Sequence, residues 1–145
     1  MESTVDAALE YVMFATRHVP KGDISSAVLL LLIELGLQPH SDGFGYLRES
    51  ITLKANDNKM RLSAIYQQVV DNYDSTIGYN QIDQAIRSVI KNAWLNGDVE
   101  KWQYFFPEIG FEICKRPSNA KFIARFASIM ELWIKICKEV SYETK

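Results

Sequence analysis

Between Tyr79 and Gly97 the side chains of Gln81, Gln84, Arg87, Ser88 and Lys91 can all donate hydrogen bonds. Such a set recognises; it does not break bonds. A glutamine amide suits the N6/N7 edge of adenine, an arginine fork suits guanine, and a cationic side chain neutralises a phosphate. Competing chemistry is thin elsewhere. His18 and His40 stand alone, without a carboxylate or cysteine at metal-ligand spacing. Ser25 and Ser26 read as first-turn helix residues, not nucleophiles. Gly43-Phe44-Gly45 lacks the Gly-Lys-Ser/Thr that a phosphate loop requires. No enzyme activity, metal or other cofactor is expected.

The element that must carry these donors is a helix. Ile82, Ala85, Ile86, Val89, Ile90, Ala93 and Trp94 recur at i, i+3, i+4, i+7 spacing, which buries one face and leaves the donor face outside. Gly97 is placed to end the helix as a left-handed residue. Upstream, Leu62, Ile65, Tyr66, Val69, Val70 and Tyr73 mark a second amphipathic helix, and Asp74 to Gly78 supplies turn residues between the two. Helix, short turn, helix is the sequence shape of a helix-turn-helix. An αα-hairpin inside an ordinary bundle would show the same spacing.

The rest of the chain reads as one helical domain. With 145 residues, 48% hydrophobic and 12% aromatic, the chain can bury a core and is not disordered. Val5, Ala8, Leu9, Val12 and Met13 form a first stripe ending near His18, able to pack on the body or on a second copy as a homodimer. Asp23 and Gly36 bracket an almost wholly apolar helix, expected at the centre of the core. Pro39 to Gly45 reads as a loop, followed by a helix from Tyr46 that ends at Asn56-Asp57-Asn58. Asp98 caps a short helix through Trp102, Phe105 and Phe106 that Pro107 stops, and Phe111 to Cys114 could be extended. Pro117-Ser118-Asn119 opens a last helix with Phe122, Ile123, Phe126, Ile129, Met130, Trp133, Ile134 and Cys137 inward. Trp94, Trp102 and Trp133 fit core aromatics. The fold expected is all-α, a compact bundle of about six to seven helices, with residues 1–22 an N-terminal helix and linker and residues 23–145 the helix-turn-helix domain.

Charge tempers the nucleic-acid reading. The formal net charge is −2; residues 1–58 carry −4, residues 59–99 carry 0 and residues 100–145 carry +2. A positive patch must be gathered by folding. Cys114 and Cys137 lie in apolar surroundings and read as reduced core thiols. Glu2, Asp6, Glu10 and Arg17 argue against a signal peptide, and the run Ala27 to Ile33 is too short for a bilayer, so a cytoplasmic protein is expected.

ELGLQPHSDGFGYLRESI (Glu34 to Ile51), AIRSVIKNAWLNGD (Ala85 to Asp98) and RPSNAKFIA (Arg116 to Ala124) resemble, in order and spacing, the C-terminal DNA-binding domain of the stage-zero sporulation response regulator of endospore-forming Firmicutes. The resemblance runs from about Asp23 to Leu132. It implies a six-helix bundle in which Leu62 to Tyr73 supports and Asn80 to Asn96 enters the DNA major groove, two copies binding tandem or paired boxes. The implied contacts to double-stranded DNA are Asn80, Gln81, Asp83, Gln84, Arg87, Ser88 and Lys91. Arg48, Glu49 and Arg116 also match family positions, with packing and surface pairing as their expected roles.

Three departures stand out. Residues 1–22 cannot hold a receiver domain, so the family's aspartyl-phosphate switch is expected to be missing from this chain. The turn Asp74 to Gly78 is two residues longer than the family's. The family reads Arg-Val-Glu-Arg-Ala-Ile-Arg-His-Ala-Ile where this chain has Gln81-Ile-Asp-Gln84-Ala-Ile-Arg87-Ser-Val-Ile90; among the charged contacts only Arg87 keeps its identity. Each bidentate arginine–guanine pair discriminates by about 1–3 kcal/mol, so two lost arginines would abandon the family's site. Two expectations follow: a DNA-binding regulator of altered sequence preference, or a degenerate member that works as a protein-interaction or dimerisation module without DNA.

Overall fold

The computed structural model describes residues 4–73, 76–107 and 116–143. Among them are seven helices and no strand: α1 Thr4–Ala15, α2 Ile24–Glu34, α3 Asp42–Asn56, α4 Leu62–Asn72, α5 Tyr79–Asn96, α6 Val99–Phe105 and α7 Asn119–Glu143. The expected all-α bundle is what the chain forms. Phe111 to Cys114, and Asp74 and Ser75 of the turn, lie outside the described residues.

Local chemistry sets most of the boundaries. The Asp23 carboxylate accepts from the Ser26 amide at 3.1 Å and caps α2. Gly36 ends that helix at φ +93°, a left-handed backbone that favours glycine. Asp98 accepts from the Glu100 amide at 2.9 Å to start α6, and Ser118 Oγ accepts from the Lys121 amide at 3.1 Å to start α7.

Three expectations are corrected. Helix α3 begins at Asp42, not Tyr46, absorbing the Asp42-Gly43-Phe44-Gly45 stretch read as loop. The glycines there serve packing: a Cβ on Gly43 would stand 2.1 Å from the Ala85 carbonyl oxygen, so its absence lets α3 press against the backbone of α5. The hub of the bundle is α3, which packs against α2, α4, α5 and α7, whereas α2 keeps Ile33 exposed. Gly97 ends α5 in extended backbone (φ −88°, ψ 177°), not left-handed. A side chain at Gly97 would collide with the carbonyl oxygens of Ala93 and Leu35.

Aromatic rings join α6 to α7. Phe126 stacks on Phe105 and on Phe122 with centroids 4.5 and 4.6 Å apart, and Trp102 donates its indole N–H to the Leu35 carbonyl at 3.1 Å. Trp102 and Trp133 are buried, while Trp94 is half-buried with its ring edge-on to Trp102. Helix α1 lies on α6 and α7 of the same chain through buried Ala8 and Val12, and the Trp133 indole N–H donates to Thr16 Oγ1 at 3.0 Å. Cys137 is buried as a free thiol; Cys114 lies outside the described residues.

Candidate nucleic-acid interface

Helix α5 is pinned by one face. Ile82, Ile86, Val89, Ile90 and Ala93 are buried against the bundle, each large side chain contributing about 1.5–3 kcal/mol of burial. Helix α4 supports it through buried Ile65, Tyr66 and Val69. The opposite face of α5 is open: Asn80, Gln81, Gln84, Arg87, Ser88 and Lys91 are exposed, whereas Asp83 is only partly so.

The exposed side chains are not equally free. Gln81 Oε1 accepts from the Gly78 amide at 2.8 Å, so this residue caps the first turn of its own helix. Glycine at the N-cap offers no side chain in return, and only this half of a capping box forms. Arg87 Nη2 donates to Asp83 Oδ2 at 2.6 Å, one helical turn apart, with the Arg87 side chain 53% exposed. An exposed pair of this kind contributes about 0.3–0.5 kcal/mol to stability, and it leaves the other guanidinium N–H donors of Arg87 available to a ligand. Asn80, Gln84, Ser88 and Lys91 make no side-chain hydrogen bond among the described residues.

Asp83 points the other way. Oδ1 accepts from Asn119 Nδ2 at 3.0 Å and from the Tyr66 hydroxyl at 3.2 Å, and Asn119 Nδ2 also donates to the Asp83 backbone oxygen at 2.9 Å. Burial is the largest influence on the Tyr66 phenol and, with the negative charge of Asp83, raises its pKa, against the lowering effect of the Asn119 bond.

Two shallow grooves flank the polar face. One, of about 600 Å³, is lined by Leu62, Asp83, Arg87, Arg116, Ser118 and the first residues of α7. Arg116 is exposed there, without an ion pair among the described residues, so the groove gathers two arginines from distant parts of the chain. The other, of about 200 Å³, lies between the start of α3 and α5 and includes Ser41, Asp42, Ser88 and Asn92. Asn92 is an exposed residue of the polar face that the donor set passed over, although it stands four residues after Ser88. The place of Arg116 beside Arg87 had no sequence signal, because spacing carries no information across α6 and the segment after it. Arg48 and Glu49 are structural: Arg48 Nε donates to the Ser25 carbonyl at 2.9 Å, and Glu49 Oε1 accepts from Asn72 Nδ2.

An all-helical bundle in which one helix is supported by its predecessor and offers an open polar face is the arrangement that helix-turn-helix DNA-binding domains use. More particularly, residues 28–130 match the family described as Sporulation initiation factor Spo0A C terminal, and the chain belongs to that family. It is a family of DNA-binding transcription-factor domains, not of enzymes. The match starts within α2, ends within α7 and contains all three stretches that carry the resemblance. No helix among the described residues is long and apolar enough to cross a membrane.

Proposed function

We propose that this chain is a transcription regulator that binds double-stranded DNA by laying α5 in the major groove, with a base preference shifted from the family's. One observation carries the reading: α5 is locked by its apolar face and leaves its polar face open to solvent. A helix with its side chains is about 10–12 Å wide, and the groove is about 12 Å wide. In that pose Gln84 is the adenine reader, because its amide oxygen and N–H donors are uncommitted, as a bidentate contact to N6 and N7 requires. Asn80 and Ser88 flank it. Gln81 contributes N–H donors alone while its oxygen caps the helix. Arg87 and Lys91 reach a guanine or a phosphate, and Arg116 with the start of α7 meets the strand backbone. Two copies on paired boxes would act in the cytoplasm as a homodimer, with residues 1–22 an added helix and linker outside the matched region.

The test is fluorescence anisotropy of labelled duplex DNA across a salt series. Two phosphate-facing cations, Lys91 and Arg116, predict a slope of log K against log salt of roughly −1.8, about −0.9 for each phosphate neutralised. Binding that is absent at low salt refutes the reading. The second reading, a protein-interaction module without DNA, is favoured by one observation: Asp83 already neutralises Arg87 in a chain of net charge −2. It predicts no retention on a DNA column at low salt.

A further inference from the structure

Asp83 occupies the recognition face by sequence register, yet its carboxylate is turned into the bundle. Three donors converge on its two oxygens: Arg87 Nη2 from the same helix at 2.6 Å, the Tyr66 hydroxyl from α4 at 3.2 Å and Asn119 Nδ2 from α7 at 3.0 Å. Tyr66 is fully buried and Asn119 is 8% exposed, so two of the donors are fixed by the core. Asn119 grips the backbone carbonyl of the same residue as well, at 2.9 Å. A carboxylate that read cytosine would have to face outward and accept from the base N4 amino group. Here the inward turn leaves Arg87, among the described residues, as the one donor on its solvent side.

We propose that Asp83 is a positioning residue and not a base reader: anchored by Tyr66 and Asn119, it aims the Arg87 guanidinium and so sets the sequence discrimination of α5. The inference rests on α5 being the DNA-reading element. Its physical content is preorganisation. Arginine has five N–H donors in a planar fork; one is engaged by Asp83, and the others are held in a fixed direction. A half-exposed arginine without that anchor would spread over many rotamers and lose entropy on binding. Because the anchor reaches α4 and α7, a change in the core beneath α5 alters how the outer face reads DNA.

The experiment uses the full 145-residue chain and the variants Asp83→Asn, Tyr66→Phe, Arg87→Ala and the Asp83→Asn/Arg87→Ala double. Without DNA, nitrogen-15 relaxation of the Arg87 Nε–H reports side-chain order. It should be ordered in the parent, partly released in Tyr66→Phe and mobile in Asp83→Asn; an Arg87 as mobile in the parent as in Asp83→Asn overturns the proposal. With DNA, the ratio of affinities for a duplex enriched from a random pool and a scrambled duplex of the same composition is measured for each variant. Asp83→Asn should lower that ratio on the order of tenfold, the lower half of what one bidentate arginine contact discriminates. The same substitution should change nothing further in the Arg87→Ala background. A loss that persists there shows Asp83 contacting a base itself and overturns the proposal. An ordered Arg87 in a protein that binds neither duplex would overturn the DNA-reading proposal and leave the aim of Arg87 by Asp83 standing.

Discussion

The contact between Gly43 and Ala85 offers a stringent test of how α5 is held. A Cβ at Gly43 would lie 2.1 Å from the Ala85 carbonyl oxygen, 2.6 Å from its carbonyl carbon and 3.2 Å from the Ile86 nitrogen. Carbon–oxygen contacts settle near 3.3–3.6 Å, so Gly43→Ala must drive α3 and α5 apart by about 1 Å. The obstacle is helix backbone, which cannot rotate away. Overpacking of this kind costs about 1–3 kcal/mol, and a rigid neighbour places the cost at the upper end. Replacing glycine by alanine in a helix returns up to about 1 kcal/mol. The net expectation is a loss of about 2 kcal/mol. Gly45→Ala is the internal control: its Cβ would meet only the Tyr73 hydroxyl, at 3.1 Å, at the end of a side chain that can move. Both residues sit in α3, so the propensity gain is shared and the difference between variants isolates the α3–α5 contact. Urea unfolding followed by circular dichroism reads it directly. With a slope of about 2 kcal/mol/M, Gly43→Ala should lower the midpoint by about 1 M, and Gly45→Ala should leave it unchanged or raise it slightly. Equal midpoints for the two variants would refute the close approach and with it the seating of α5.

Three further expectations follow from the same structure. Gly36→Ala should cost about 1–2 kcal/mol through backbone strain at φ +93°, although its nearest neighbour, Gly97 Cα, leaves 3.6 Å for the methyl; thermal unfolding reads it. Burial, then the negative charge of Glu34, pushes the Tyr11 phenol up to about 12, so the folded chain keeps a proton that the unfolded chain loses from about pH 10. Stability should be unaffected by this group below pH 10 and fall as pH rises towards 12; Tyr11→Phe should make the decline shallower in urea titrations, leaving the contributions of Tyr46, Tyr66 and Tyr73, which burial raises in the same sense. Arg116→Ala should weaken binding to all duplexes alike and make the salt slope shallower by about 1, whereas a change in base preference would place Arg116 at a base edge.

The inward face of α5 was legible because its apolar residues obey a single 3.6-residue period; the core took Ile82, Ile86, Val89, Ile90 and Ala93, with Ala85 and Trp94 partly buried at its edge. Caps at Asp23 and Asp98 were legible for a similar reason: the carboxylate and the amide it binds are two or three residues apart. The start of α3 was not, because Gly43 and Gly45 signal a loop by propensity. Their reason for being there, contact with α5 and room beside Tyr73, is a tertiary fact. The same holds for α2, whose apolar run suggested a central helix although α3 is the element packed against α2, α4, α5 and α7. In the site, the resemblance placed Asp83 among the DNA contacts beside Gln84. Its partners Tyr66 and Asn119 are 17 and 36 residues away, and nothing in local pattern announces that they meet on one carboxylate. Gln81 shows the opposite case, since a bond to Gly78 three residues earlier could have been read as half of a capping box.

The claim on which the account turns is that the open face of α5 reads duplex DNA. Selection of bound duplexes from a random pool at low salt, with the parent chain and Arg87→Ala side by side, measures it most directly. The account predicts a recurrent motif containing adenine opposite Gln84, weakened or lost in Arg87→Ala. A pool that stays random through successive rounds, with no duplex retained at low salt, would contradict it.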